Sequence, residues 1–319
     1  MAYKVIITDS SFPDNQQERE ILEPNDCNVL LLQSKDESLL KRELRDADAL
    51  LVQWAPITRG IIETLDKCKI IVRYGIGVDN IDLEAARDHS IPVSNVPDYC
   101  INEVSDHTIA LAVAALRQVI EADRRIRSGK WSIGLPRAVS SFCNLNFCVA
   151  GFGRIGREVA RRAVCLGFRV KVYDPYVEVG EIESLGVTAI FSSEELFGEA
   201  DVLSLHLPLN EDTFHFINNE SIKKMRSGSV IVNTSRGGLI DTEALAFAIN
   251  NKVIWGAALD VFEQEPLPHD HVLFDIPGVI LSSHVAWYSS ESFLILQKKA
   301  AEEALRAVRG EPLLNQVIK

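Results

Sequence analysis

Val149-Ala150-Gly151-Phe152-Gly153-Arg154-Ile155-Gly156, followed eighteen positions later by Asp174, decides the fold of this chain. The apolar segment 147–150 reads as a strand and 155–166 as a helix, with Gly167 where a left-handed cap is wanted. A second strand, 169–173, alternates Val170 and Val172 with two cations and delivers Asp174 at its end. Gly151 allows the tight turn, Gly153 lets the backbone approach a pyrophosphate, and Gly156 lets the helix pack close to the strand. The helix start offers N–H groups and a positive dipole end to phosphate oxygens. An acid ending the next strand accepts ribose hydroxyls and repels a 2′-phosphate. The pattern is a dinucleotide site, and Asp174 favours NAD over NADP. Arg169 and Lys171 fall on the opposite strand face and leave that preference intact.

The motif lies near the middle of 319 residues, a length that accommodates two domains with proper cores. A hydrophobic content of 47% and a charged content of 24% are those of an ordinary globular protein. The net charge of −12 argues against nucleic acid or anionic membrane as partners, both of which want a basic face. No apolar run approaches the roughly 20 residues of a membrane span. Met1 to Asp9 reads as a first strand ending in an acid, without the features of a signal peptide, so a cytoplasmic location is expected. Six cysteines (Cys27, Cys68, Cys100, Cys143, Cys148, Cys165) show no Cys-x-x-Cys spacing and read as buried free thiols. His269-Asp270-His271 sits in a polar loop with no third ligand motif nearby, and no metal is expected.

Strands are expected at 4–8, 29–32, 49–52, 69–73 and 92–94, with helices such as 37–45 and 83–88 between them. That alternation means a parallel sheet covered by helices. A single long helix over 102–127, nearly all apolar from Ile109 to Leu116, is expected to be buried and to cross between domains. Further strands follow at 202–207, 229–233, 255–259 and 279–281, with helices at 242–250 and 291–309, the last ending at Gly310. The expected fold is α/β: a Rossmann-type doubly wound parallel sheet domain, 99–285, inserted into a flavodoxin-like α/β substrate domain, 1–98 with 286–319.

Three polar clusters lie at strand ends, where doubly wound sheets place their ligands. They are Asn233-Thr234-Ser235-Arg236-Gly237-Gly238, the segment from Ala257 through Asp260 to Glu265-Pro266, and Ser282-Ser283-His284-Val285-Ala286-Trp287-Tyr288. An arginine, a carboxylate and a histidine suit reduction of a 2-oxo acid. The guanidinium clamps the carboxylate and polarises the oxo group, while the imidazolium donates a proton as hydride arrives. A carboxylate on the second ring nitrogen fixes the tautomer.

At these residues the chain resembles the D-isomer-specific 2-hydroxyacid dehydrogenases over nearly its whole length. Arg73-Tyr74-Gly75-Ile76-Gly77-Val78-Asp79-Asn80-Ile81-Asp82 looks like that family's substrate loop, and 151–156 like its nucleotide loop. Ser204-Leu205-His206-Leu207-Pro208-Leu209 and the segment 233–238 are similar to two cofactor-side signatures. The resemblance implies catalytic roles for Arg236, Glu265 and His284. It implies that Gly75, Ile76 and Gly77 offer N–H groups to the substrate carboxylate, with Arg73 and Tyr74 beside them. It implies that Asp260 meets the nicotinamide carboxamide and that Thr108 approaches the cofactor from the long helix. Arg154, Ile155, Leu207, Pro208, Thr213, Thr234 and Ser235 complete the cofactor contacts so implied. NAD is the implied cofactor, a small 2-oxo or 2-hydroxy acid the implied substrate, and a homodimer the implied assembly.

Departures from the family pattern narrow the branch. Small residues and a threonine usually follow the histidine, whereas this chain has Val285-Ala286-Trp287-Tyr288, similar to the C-terminal-binding proteins, whose tryptophan faces the substrate side chain. Ser283 stands where a proline is usual. Glu265 argues against formate dehydrogenation, where glutamine replaces the acid. The chain ends at Lys319, so no regulatory domain of the long phosphoglycerate dehydrogenases is expected. Trp287, without a cluster of extra cations, points to a substrate with an apolar side chain; phosphoglycerate- or glyoxylate-type reduction is the alternative within the class. An NAD(H)-sensing scaffold is the alternative outside it, and the intact arginine, glutamate and histidine favour the enzyme.

Overall fold

The computed structural model describes residues 2–131 and 135–318. The chain forms two compact units, Met1–Tyr99 with Ser289–Lys319, and Cys100–Tyr288. Its strands are β1 (Tyr3–Ile7), β2 (Cys27–Leu31), β3 (Ala49–Val52), β4 (Ile71–Arg73), β5 (Val93–Ser94), β6 (Asn146–Ala150), β7 (Arg169–Tyr173), β8 (Thr188–Ile190), β9 (Val202–Leu205), β10 (Val230–Asn233), β11 (Gly256–Leu259), β12 (Val279–Leu281) and β13 (Gln316–Ile318).

In the first unit the sheet order is β13-β5-β4-β3-β1-β2. β1 to β5 pair in parallel, in the 2-1-3-4-5 order of flavodoxin-like sheets. All four residues of β3 are buried, as a strand covered on both faces requires. Short helices between the strands start on acids: Asp36 accepts from the Leu39 N–H and Asp82 from the Ala85 N–H, each at 2.8 Å. The helix Ser290–Arg309 opens on a reciprocal Ser289–Ser292 capping box and closes on left-handed Gly310. β13 then pairs antiparallel with β5, an edge strand that the sequence pattern did not announce.

In the second unit seven parallel strands run in the order β12-β11-β10-β9-β6-β7-β8. From β6 the chain builds outward on one side through β7 and β8, then returns to β9 and builds on the other. The order therefore reverses between β6 and β9, the place where open α/β sheets bind ligands beyond their strand ends. The core strands β6, β9, β10 and β11 are buried throughout. The helix after the glycine loop runs Arg154–Cys165 and ends before Gly167, whose φ is +87°.

The single helix expected over 102–127 is corrected to two, Ile101–Arg117 and Val119–Arg127. Gln118 breaks it with a left-handed φ of 53°. Its side-chain amide donates to the Arg137 carbonyl at 2.8 Å and accepts from the Arg137 N–H at 3.2 Å, which fixes the break. The first piece buries Val104, Thr108, Leu111, Ala112, Ala115 and Leu116, whereas the second buries nothing. The cysteine expectation also needs correction. Cys27, Cys100 and Cys148 are buried, but Cys143 and Cys165 are exposed. Among the described residues no helix is long and apolar enough to cross a membrane.

Candidate active site

The glycine loop leaves the end of β6. A Cβ on Gly151 (φ +94°) would lie 2.5 Å from the His206 carbonyl oxygen, and one on Gly156 would lie 2.1 Å from the Gly151 carbonyl oxygen. Both glycines are therefore demanded by the protein's own backbone. Gly153 is different: a Cβ there would meet nothing within 4 Å. It is exposed, and it caps a helix whose first turn carries no acid and no side-chain cap. The missing side chain leaves room for a ligand against the N–H groups of Arg154, Ile155 and Gly156, and a pyrophosphate fits that charge and space.

Asp174 follows β7 directly. Its Oδ2 accepts from the Phe152 N–H at 2.7 Å and its Oδ1 from the Tyr176 N–H at 2.9 Å. The carboxylate thus shapes the glycine loop and keeps a negative charge beside it. Arg169 donates to the Asn144 carbonyl at 2.5 Å, and Lys171 pairs with Glu199 at 3.1 Å. Both cations are engaged away from Asp174, as their alternation implied.

Leu207 and Pro208 follow β9, and the Thr213 hydroxyl closes their loop by donating to the Pro208 carbonyl at 2.6 Å. Ser235 donates to the Leu205 carbonyl at 2.7 Å, tying the end of β10 to that of β9. Thr234 shares a hydroxyl contact of 2.7 Å with Thr108. Thr108 is fully buried, also bonds the Val104 carbonyl, and braces Thr234.

The polar clusters after β10, β11 and β12 converge within this unit. A Cβ on Gly237 would fall 1.9 Å from the Phe262 carbonyl carbon, so only glycine lets the loop after β10 press on the loop after β11. The Asn233 amide donates to the Arg236 carbonyl at 2.8 Å and orients that loop. Glu265 accepts from the Phe262 N–H at 2.9 Å through Oε1 and holds His284 Nδ1 at 2.7 Å through Oε2. Burial alone would raise the Glu265 carboxyl. The His284 hydrogen bond and charge, the Phe262 N–H and the Arg236 charge outweigh it and hold Glu265 below the usual carboxylate value.

Asp260 sits under this cluster with its side chain 1% exposed. Its Oδ1 accepts from Ser282 Oγ at 2.5 Å and the Val285 N–H at 3.0 Å, and its Oδ2 from the Ala286 N–H at 2.8 Å. The carboxylate braces the loop that carries His284. Trp287 is half-buried, donates its indole N–H to the His284 carbonyl at 2.9 Å, and meets Tyr288 edge-on at 5.8 Å. Its ring orientation is therefore tied to the histidine's backbone.

In the first unit the loop after β4 is held from several sides. The Gly75 carbonyl accepts from the Val96 N–H at 3.0 Å and the Ile76 carbonyl from the Asn95 amide at 2.6 Å. The Gly75 N–H donates to the Arg73 carbonyl at 2.9 Å. Among the described residues no protein acceptor takes the N–H groups of Ile76 and Gly77. The Arg73 guanidinium lies over the Trp54 ring at 5.6 Å and against Gly75.

Tyr74 is 1% exposed, and its hydroxyl donates to Glu18 at 2.6 Å. Burial raises the Glu18 carboxyl above its usual value despite that bond and the Gln297 amide at 2.9 Å. Beside this loop, at the reversal between β1 and β3, Asp9 accepts from the N–H groups of Trp54 at 2.8 Å and Ala55 at 3.0 Å and from the Thr8 hydroxyl at 2.8 Å.

The braces Asp9, Asn95 and His107 had escaped the sequence reading. Each works through a partner nineteen or more positions away, and no local spacing marks them. Among the described residues no group of three or more His, Cys, Asp or Glu gathers as a metal set.

The sequence pattern of the D-isomer specific 2-hydroxyacid dehydrogenase NAD binding domain matches residues 109–286. The chain is 38% identical over 282 residues to a glyoxylate reductase of Korarchaeum cryptofilum, covering 86% of this chain and 85% of that protein. It is 37% identical over 316 residues to a D-3-phosphoglycerate dehydrogenase of Methanocaldococcus jannaschii, covering 98% of this chain but 59% of that longer protein. Among solved structures, the D-lactate dehydrogenase of Aquifex aeolicus complexed with NAD and lactic acid superimposes with a TM-score of 0.87 at 26% identity over 99% of each chain. The chain belongs to the D-isomer specific 2-hydroxyacid dehydrogenases, NAD-dependent oxidoreductases of 2-hydroxy acids.

Proposed function

We propose that the chain reduces a small 2-oxo acid with an apolar side chain, with His284 as proton donor, Glu265 as its partner and Arg236 as the group that binds and polarises the substrate. The observation that carries this reading is the 2.7 Å contact between His284 Nδ1 and Glu265. With Nδ1 engaged, Nε2 is the nitrogen that delivers the proton to the substrate oxygen. Bound NADH supplies the hydride. Arg236 stabilises the charge that develops on that oxygen. Gly153 to Gly156 would hold the pyrophosphate, and Asp174 selects NAD over NADP. In this reading residues 100–288 carry the cofactor.

His284→Ala tests the reading. Turnover of glyoxylate and pyruvate falls by about 10² to 10⁴, the usual contribution of a general acid. NADH binding, followed by fluorescence titration, is unchanged, because the proton is needed only in the transition state. Full turnover in the variant would remove His284 from the chemistry.

Two further features belong to the proposal. The helix Val119–Arg127 buries no residue and presents Val119, Ile120 and Ile126, followed by Trp131 at 91% exposed, a face suited to a second copy of the chain. Sedimentation equilibrium on the intact protein checks the dimer, and a monomer at micromolar concentration would reject it. Six free thiols, two of them exposed, suit a reducing cytoplasm.

A further inference from the structure

His284 stands in the left-handed region with a φ of 54°, a backbone state that a residue with a Cβ adopts only where neighbours hold it. The residue before it is Ser283, so no proline ring stiffens the approach. The restraint comes from below. The His284 N–H donates to the Asp260 carbonyl at 2.8 Å, and the two residues after it donate to the Asp260 carboxylate. Asp260 is itself oriented by a third party. The Ser282 hydroxyl has one proton, and it goes to Asp260 Oδ1 at 2.5 Å. The Ser282 oxygen therefore accepts at its other contact, His107 Nε2 at 3.1 Å. That assigns His107 the Nε2–H tautomer, with the same nitrogen 3.6 Å from the Asp260 carboxylate.

We propose that His107 and Ser282 are positioning residues for the reaction: the relay His107 Nε2–H to Ser282 Oγ–H to Asp260 Oδ1 locks the loop that aims His284. The inference rests on His284 being the proton donor. His107 comes from the helix Ile101–Arg117, Asp260 from the end of β11 and Ser282 from the end of β12, so the relay ties three elements at the point where the histidine loop begins. Removing one link leaves the fold its other Asp260 bonds but loosens the aim, and small misplacements of a catalytic group are amplified in rate.

The experiment compares Ser282→Ala with Ser282→Thr, and His107→Leu with His107→Gln, in the intact enzyme with NADH and glyoxylate or pyruvate. Ser282→Ala and His107→Leu lower kcat on the order of 10-fold to 100-fold, with NADH binding unchanged and the solvent isotope effect on kcat increased. Ser282→Thr and His107→Gln restore a hydroxyl or an N–H donor and recover most of kcat. If Ser282→Ala melts early, the His107 pair decides alone. Wild-type kcat and isotope effect in both Ser282→Ala and His107→Leu would overturn the proposal, as would equal impairment of the conservative and non-conservative variants. His284→Ala, run alongside, separates the two readings. Retained turnover there refutes the proton donor itself, whereas its loss beside a fully active Ser282→Ala refutes only the relay.

Discussion

Replacing Glu265 with glutamine keeps the shape of the side chain and removes the charge 2.7 Å from His284 Nδ1. Two unit charges at that separation attract by about 1.5 kcal/mol in bulk water and by about 6 kcal/mol at an effective dielectric of about 20. The His284 and Glu265 side chains are 26% and 32% exposed, so water reaches the pair and the lower end applies. A loss of about 2 kcal/mol corresponds to about 30-fold in rate. In Glu265→Gln kcat/KM for 2-oxo-acid reduction therefore falls by about 10-fold to 100-fold. The assay is NADH consumption at constant pH and ionic strength, with the reverse oxidation measured in parallel. An unchanged kcat/KM would refute the argument that this contact assists the proton transfer. The carboxylate also carries a pH dependence of its own. Its folded value lies below the ordinary 4.5, so its share of stability is present above that value and disappears as the pH falls through the lower folded one. Acid unfolding of the wild type reports this, and Glu265→Gln lacks it.

The two glycines at the helix start separate fold from function. Gly153→Ala keeps the thermal midpoint of the apo protein but weakens NADH binding at least tenfold (about 1.4 kcal/mol), while Gly156→Ala lowers the midpoint because its Cβ meets the Gly151 carbonyl. Equal NADH affinity in Gly153→Ala would deny the pyrophosphate its place. Asp174→Ala weakens NADH and narrows the gap to NADPH in paired titrations; tighter NADPH binding by the wild type would reject Asp174 as the selector. Trp287→Ala changes the ranking of pyruvate, 4-methyl-2-oxopentanoate and 3-phosphohydroxypyruvate by kcat/KM, against the longer apolar substrate. An unchanged ranking would make the ring a packing residue.

Periodicity and punctuation made the sheets legible: a glycine or an acid directly follows β6, β7 and β11, and the strands themselves read as apolar runs. The run from Val149 to Gly156 fixed the nucleotide-type unit, and Gly167 and Gly310 marked their helix ends correctly. What sequence could not disclose was the direction in which a polar side chain spends its bonds. Asp260 and Asp174 look alike as acids after strands, yet Asp260 is closed beneath a loop while Asp174 stays half-exposed. The break at Gln118 depends on Arg137, nineteen positions on, and no local propensity encodes it.

Asp9 gives the first unit a property of its own. In sheets of this strand order the reversal beyond β1 and β3 is the natural seat for an anion, and here the backbone N–H groups of Trp54 and Ala55 already face the chain's own carboxylate. The seat is filled by a carboxylate tethered to the same chain, at an effective concentration that no dissolved phosphate or carboxylate matches. The Trp54 and Ala55 amides are thereby closed to an incoming acid. The fold builds this receptor and occupies it itself.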